Sequence, residues 1–93
     1  MTMSKQEFLR CARLETRTLE VWIEQRWLLP EPTPTGPGFS ERDVARARFI
    51  VDLKSAFGVN DEGVDVILHL VDQMHGMRYE LTQLRNVMSQ ERS

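Results

Sequence analysis

Apolar side chains return at steps of three and four residues in two short stretches near the start of the chain. In the first stretch, Ser4 followed by Glu7 matches a reciprocal cap, in which each side chain satisfies a free backbone amide at a helix N-terminus. This pattern predicts a helix from about Lys5 to Ala12. The buried face of this helix would carry Phe8, Leu9 and Cys11, with the cysteine as a small apolar residue.

In the second stretch, Thr16 is placed to cap a helix that follows a break at residues 13–15. The apolar positions of this helix are Leu19, Trp22, Ile23 and Trp27. We expect the two tryptophans to pack in the core and at the base of the loop that follows. Two short helices joined by a tight turn form a helix-turn-helix unit.

Residues 28–44, LLPEPTPTGPGFSERDV, contain all four prolines of the chain. Because proline fixes its own φ angle and biases its predecessor toward extended structure, no helix continues through this stretch. We predict a short strand at Leu28 and Leu29. Phe39 would return beside that strand as the second arm of a hairpin, or wing.

A third helix is predicted from Ser40, where the sequence Ser-Glu-Arg-Asp matches a cap, to about Phe57. One face of this helix carries Val44, Ala47, Ile50, Leu53 and Phe57. Gly58 is expected to end it, and Asn60 and Asp61 are expected to cap a last helix.

The last helix carries an apolar seam at alternating steps of three and four, typical of helices that pair. The seam consists of Ile67, Leu70, Met74, Met77, Leu81, Leu84 and Met88. Because it is longer than a small core can cover, we expect a homodimer; packing within one chain is the alternative. Glu80 and Arg85 flank the seam and would meet across a parallel pair, but the sequence does not decide between parallel and antiparallel helices. We expect one domain, in which residues 61–93 pack on a core of residues 1–60 and mediate dimerisation.

Composition and charge argue against several classes of function. The 93 residues are 41% hydrophobic and 28% charged, as in ordinary soluble domains. The chain lacks the long apolar run of a membrane span and the apolar core of a secretory signal, so we expect a cytoplasmic protein. The formal charge is +1 over residues 1–30, zero over 31–60 and -3 over 61–93. No segment is strongly basic, which argues against tight nucleic-acid binding.

Little in the sequence indicates catalysis or a cofactor. His69 and His75 are six residues apart, too far around a helix to share one metal ion. There is no glycine-rich phosphate loop and no nucleophile motif, and a single cysteine cannot form an internal disulfide. We therefore expect no enzyme, no metal and no cofactor.

The sequence FSERDVARARFIVDLKSAFGV, residues 39–59, resembles the segment that follows the wing in MerR-type regulators. The shared features are an aromatic residue, a Ser-Glu-x-Asp cap, an Arg-Phe-Ile core and a Phe-Gly end. Thr18-Leu19 and Leu28-Leu29-Pro30 fit the same plan, so the resemblance covers about residues 4–70. It implies a mainly α fold, a MerR-like winged helix-turn-helix with a short wing and a long C-terminal dimerisation helix.

The chain departs from the DNA-binding members of that group. Those members typically place an arginine and tyrosines directly after the Thr-Leu of the recognition helix and basic residues in the wing, where phosphates and base edges need positive donors. In this chain the residues that follow Thr18-Leu19 are Glu20, Val21 and Trp22, and the sequence of the wing is PEPTPTGPG. Arg13, Arg17 and Arg26 remain as possible DNA contacts. We expect DNA binding to be weak or absent, and a DNA-binding transcription regulator is the alternative.

The short chain resembles more closely the CbpM chaperone modulators. The matching features are the wing LLPEP, the stretch VARARFIVDLKSAFGVNDEGVDVILHLVDQM and the closing MHGMRYELTQLRNVM. This resemblance implies a modulator that inhibits a DnaJ-like co-chaperone of the CbpA type. It would bind the co-chaperone's J-domain and block engagement of a DnaK-type chaperone.

Acidic residues at the end of the third helix and the start of the last one are the predicted contacts for that partner. They are Asp52, Asp61, Glu62, Asp65 and Asp72. A solvated helix face explains each of them singly, and Asp61 and Glu62 also favour the helix N-terminus. As a patch they suit the basic helix of a J-domain. Val66, Leu70 and Phe57 are candidate apolar anchors, although core packing explains them equally well.

Overall fold

The computed structural model describes residues 2–91 of the chain and shows a mainly helical fold, as predicted. Its elements are α1 (Lys5–Ala12), α2 (Thr16–Glu24), β1 (Glu31–Thr33), β2 (Gly36–Gly38), α3 (Glu41–Ser55) and α4 (Asp61–Glu91). The chain divides into two compact units between Asp61 and Glu62. The first unit holds α1, α2, the wing and α3, and the second is the remainder of α4. The packing of residues 61–93 on residues 1–60 stays a prediction.

Local caps set the starts of α1 and α3. Ser4 Oγ accepts a hydrogen bond from the Glu7 backbone amide at 3.3 Å. At α3 the cap is reciprocal: Ser40 Oγ accepts from the Asp43 amide, and the Asp43 carboxylate accepts from the Ser40 amide at 2.9 Å. The cap predicted at Ser40 is therefore confirmed. At Ser4 only the serine half of the predicted reciprocal cap forms, and the Glu7 carboxylate accepts a hydrogen bond from Ser4 Oγ at 3.2 Å instead of from the Ser4 amide. The prediction for α2 is wrong by one residue, because Glu15 is the cap position and its side chain makes no cap hydrogen bond.

The core of the first unit is built around two stacked phenylalanines. Phe8 on α1 and Phe39 after β2 have ring centroids 4.3 Å apart and an interplanar angle of 19°. The other fully buried side chains of this unit are Leu19, Leu28, Ala47 and Ile50. Trp22 and Trp27 are also buried, with ring centroids 6.1 Å apart, which confirms the packing predicted for them.

The wing is a hairpin, but the strand prediction at Leu28 and Leu29 is wrong. The strands lie inside the proline-rich stretch, and Pro32 stands directly opposite Pro37. In an antiparallel sheet, residue pairs that face each other alternate between hydrogen-bonded and non-hydrogen-bonded pairs. Two prolines can form a non-hydrogen-bonded pair, because neither residue has to donate a backbone hydrogen bond there. Phe39 pairs with Met3, through backbone hydrogen bonds of 2.6 and 2.9 Å. The N-terminal arm therefore lies beside the strand that leads to Phe39.

Two further predictions about the core are wrong. Cys11 is exposed, because α1 buries only Phe8 and Ala12 and the cysteine lies off that face. Phe57 is 75% exposed, since α3 ends at Ser55 and the chain then leaves the helical register that would have placed Phe57 on the core face.

Two arginines hold a left-handed backbone at the ends of the first two helices. Arg13, the C-cap of α1, has φ 57° and ψ 48°, and Arg26, after α2, has φ 64°. A side chain with a Cβ atom costs roughly 1–2 kcal/mol in this conformation, whereas glycine adopts it freely.

We expect Arg13→Gly to raise the free energy of unfolding by about 0.5–1 kcal/mol, after allowance for the extra freedom of glycine in the unfolded chain. Urea denaturation followed by tryptophan fluorescence measures the change. Arg10→Gly is the matched control, because Arg10 lies within α1, where glycine costs about 1 kcal/mol. Equal losses of stability in the two variants would contradict this account of Arg13.

Candidate interaction surfaces

The exposed side of α2, which reads DNA in winged helix-turn-helix binders, carries charges of both signs. Arg17 and Glu20 are both exposed on α2, and the Glu20 carboxylate lies 3.7 Å from the partly buried Lys5 ammonium of α1. Across residues 27–40, which contain the whole wing, the only formal charge is that of Glu31. The wing therefore presents no cation to a phosphate backbone.

The three arginines proposed as DNA contacts are exposed and spread along the helix-turn-helix unit. Arg13 lies in the turn before α2 and Arg17 in its first turn. Arg26 lies past the end of α2 rather than on it, which corrects the sequence interpretation. Arg26 follows Arg17 by nine positions along the chain. A helix advances about 13 Å over nine residues, so the two side chains start from opposite ends of α2.

A shallow depression of about 260 Å³ lies beside α2 within the first unit. Val21, Trp22 and Trp27 contribute its apolar lining. The ammonium of Lys54 lies 5.8 Å from the centre of the Trp27 ring and also pairs with the Asp61 carboxylate. These contacts hold the Lys54 side chain between Trp27 and Asp61. The ion pair neutralises the charge of Asp61, one of the five acidic residues predicted to bind a partner.

The end of α3 presents the other sequence-predicted residues of the first unit. Asp52 is exposed, and its backbone carbonyl accepts hydrogen bonds from the amides of Ala56 and Phe57 at 2.9 and 3.2 Å. Phe57 projects its ring from the turn that follows. We call Asp52, Phe57 and Asp61 the α3-end surface.

The remaining predicted acidic residues lie on α4. Glu62, Asp65 and Asp72 are all exposed, and the seven-residue spacing of the two aspartates places them on the same side of the helix. His69 lies between them, with its Nε2 atom 3.4 Å from the Gln73 side-chain amide nitrogen. Between Asp61 and Arg78 the helix contains no lysine or arginine. This half of α4 is therefore acidic, with histidines as its only basic groups.

The apolar seam of α4 is open to solvent in the single chain. Ile67 is half-buried, and the other six seam residues are each more than half exposed: Leu70, Met74, Met77, Leu81, Leu84 and Met88. Val66 and Val87, adjacent to the seam, are similarly exposed. An exposed apolar stripe of this length is typical of an interface.

Residues 2–91 offer neither a cluster of metal-ligating side chains nor a helix that could span a membrane. No group of three or more histidine, cysteine, aspartate or glutamate side chains there could hold a metal ion. No helix in the same part of the chain is both long enough and apolar enough to span a bilayer.

Comparison with known proteins identifies one family. The model of the family described as MerR HTH family regulatory protein matches residues 3–86, most of the chain. Neither the curated proteins nor the solved structures gave a match. The matched span includes α1, α2, the wing, α3 and α4 as far as residue 86.

Proposed function

Because the chain belongs to the MerR family of helix-turn-helix regulatory proteins, we propose that it regulates by binding a protein, as a CbpM-type modulator of a DnaJ-like co-chaperone. The observation that supports this proposal is the distribution of charge. The wing carries no cation, whereas exposed carboxylates collect at the α3-end surface and on the first half of α4. A basic protein surface complements that distribution better than DNA does.

The partner we propose is the J-domain of a CbpA-type co-chaperone, which presents a basic helix. On α4, the proposed contacts with this partner are Glu62, Asp65 and Asp72. On the first unit, Asp52 and Asp61 of the α3-end surface are proposed as separate contacts with it. Covering the basic helix would prevent the J-domain from engaging its DnaK-type chaperone. Dimerisation through the α4 seam would present two such surfaces.

Isothermal titration of the purified protein with a CbpA-type J-domain tests this function. We expect a dissociation constant below tens of micromolar that rises with ionic strength, because exposed charge pairs are screened by salt. J-domain-stimulated ATP hydrolysis by the DnaK-type chaperone should fall as the protein is added. The absence of binding at tens of micromolar would refute the proposal.

Charge reversal on α4 should weaken this binding. For the double variant Asp65→Lys and Asp72→Lys we expect affinity to fall about 10- to 100-fold, since like charges would then face the basic helix. Glu31→Lys, an exposed reversal on the wing, is the control and should leave affinity within about twofold. Equal effects of the two changes would mean that overall charge, and not the α4 surface, controls the interaction.

DNA binding is expected to be weak or absent. A gel-shift titration with upstream and random DNA at two salt concentrations measures it, because a protein that neutralises several phosphates loses affinity steeply as salt rises. A salt-sensitive and sequence-selective complex, lost on charge reversal of Arg17, would favour the transcription regulator instead.

A further inference from the structure

Phe57 lies in a turn whose backbone is held by hydrogen bonds on both sides. The amides of Ala56 and Phe57 donate to the Asp52 carbonyl, and the Val59 amide donates to the Leu53 carbonyl at 2.8 Å. Gly58, with φ 65°, provides the left-handed residue that redirects the chain. The phenylalanine ring is thus presented from a fixed support.

The ring of Phe57 is unusually exposed for its size. It is 75% exposed, whereas Phe8 and Phe39 are completely buried. Burying a phenylalanine side chain is worth about 1.5–3 kcal/mol, and Phe57 gains little of that within this chain. Core packing, which the sequence left open as an explanation of this residue, is therefore excluded for the described chain.

The charges next to Phe57 indicate what kind of surface would cover it. Asp52 precedes it by five residues and Asp61 follows it by four, while Lys54 is paired with Asp61. These three side chains sum to a formal charge of -1. An exposed apolar ring in a segment of net negative charge complements an apolar cleft with a basic rim.

We infer that Phe57 is the apolar anchor of the α3-end surface, and that it inserts into a cleft on the partner whose rim carries lysine or arginine. This inference rests on the proposed function and names the contact that supplies much of its affinity. A single aromatic side chain that fills a pocket commonly dominates an interface, while the surrounding charges set orientation and the rate of encounter.

The experiment compares Phe57→Ala with Leu29→Ala in calorimetric titrations against the same J-domain. Leu29 is the matched control, because it is 72% exposed and lies before the wing, away in sequence from the α3-end surface. We expect Phe57→Ala to lower affinity about 30-fold and Leu29→Ala to change it less than about twofold. Phe57→Leu should recover part of the loss. Thermal unfolding midpoints of all three variants should stay within about 2 °C of the parent, since exposed side chains contribute little to folding.

The possible failures are distinguishable. If the parent protein does not bind the J-domain, the proposed function fails and the inference fails with it. If the parent binds and Phe57→Ala binds equally well, the function stands and the anchor is refuted. If light scattering shows that Phe57→Ala alters the oligomeric state, Phe57 contacts a second copy of the chain, which also overturns the inference.

Discussion

Replacing Leu81 by aspartate is expected to convert a dimer of this protein into a monomer. Leu81 lies near the middle of the α4 seam and is 64% exposed in the single chain. In a dimer that covers the seam, the aspartate would be buried without a partner, which costs several kcal/mol per site. Two-fold symmetry places the change in both helices, so the dissociation constant should rise at least about 1,000-fold.

Sedimentation equilibrium over a range of protein concentrations measures this effect. Gln83→Asp is the matched control, because it adds the same charge two residues away at an exposed position outside the seam. The control should remain dimeric at concentrations where Leu81→Asp is monomeric. At 100 µM protein, only a dimer with a dissociation constant above about 10⁻⁴ M would escape detection. A parent protein that is monomeric at this concentration would therefore refute dimerisation through α4.

The parts of the fold that the sequence predicted correctly depend on contacts between near neighbours. The cap at Ser40 and the serine half of the cap at Ser4 join residues three apart in the chain, and the helix that carries the seam follows from helical spacing alone. The wing depended on longer-range pairing. Prolines at positions 32 and 37 weigh against a strand when each is considered singly, and only their direct opposition across the hairpin makes both acceptable.

The candidate surfaces, like the fold, were predictable where they depend on sequence position and were not predictable where they depend on contacts. Composition and position were sufficient to identify the acidic residues near the start of α4 and the lack of cations in the wing. The pairing of Asp61 with Lys54 and of Glu20 with Lys5 was missed, although the first joins residues only seven apart in the chain. The exposure of Phe57 was missed as well, because the register of α3 ends two residues before it. Gly58 was used as the end signal, and it places the end of the helix near Phe57, two residues later than the structure does.

The low charge of the wing and the exposed seam of α4 are features of the surface and not of the core. A helix-turn-helix core depends for its stability on buried apolar residues, which here include Phe8, Leu19 and Ile50. None of these contacts requires surface cations. The surface charge of this fold can therefore vary while the core stays intact, so the fold alone does not determine whether it binds DNA or a protein.

Replacing Phe39 by alanine is expected to remove most of the stability of the first unit. Phe39 is completely buried and stacks on Phe8, and its backbone pairs with Met3. Truncating a buried phenylalanine costs about 3–5 kcal/mol, including the cavity that remains. Small domains have a total unfolding free energy of about 5–15 kcal/mol, so the loss should leave a large unfolded fraction at 37 °C.

Urea denaturation followed by tryptophan fluorescence tests this prediction, because both tryptophans of the chain are buried in the first unit. Phe49→Ala is the matched control. Phe49 lies on α3 and is 39% exposed, so the same truncation should cost less, about 1–2 kcal/mol. If the two variants unfold at the same urea concentration, the stacked pair is not the centre of this core.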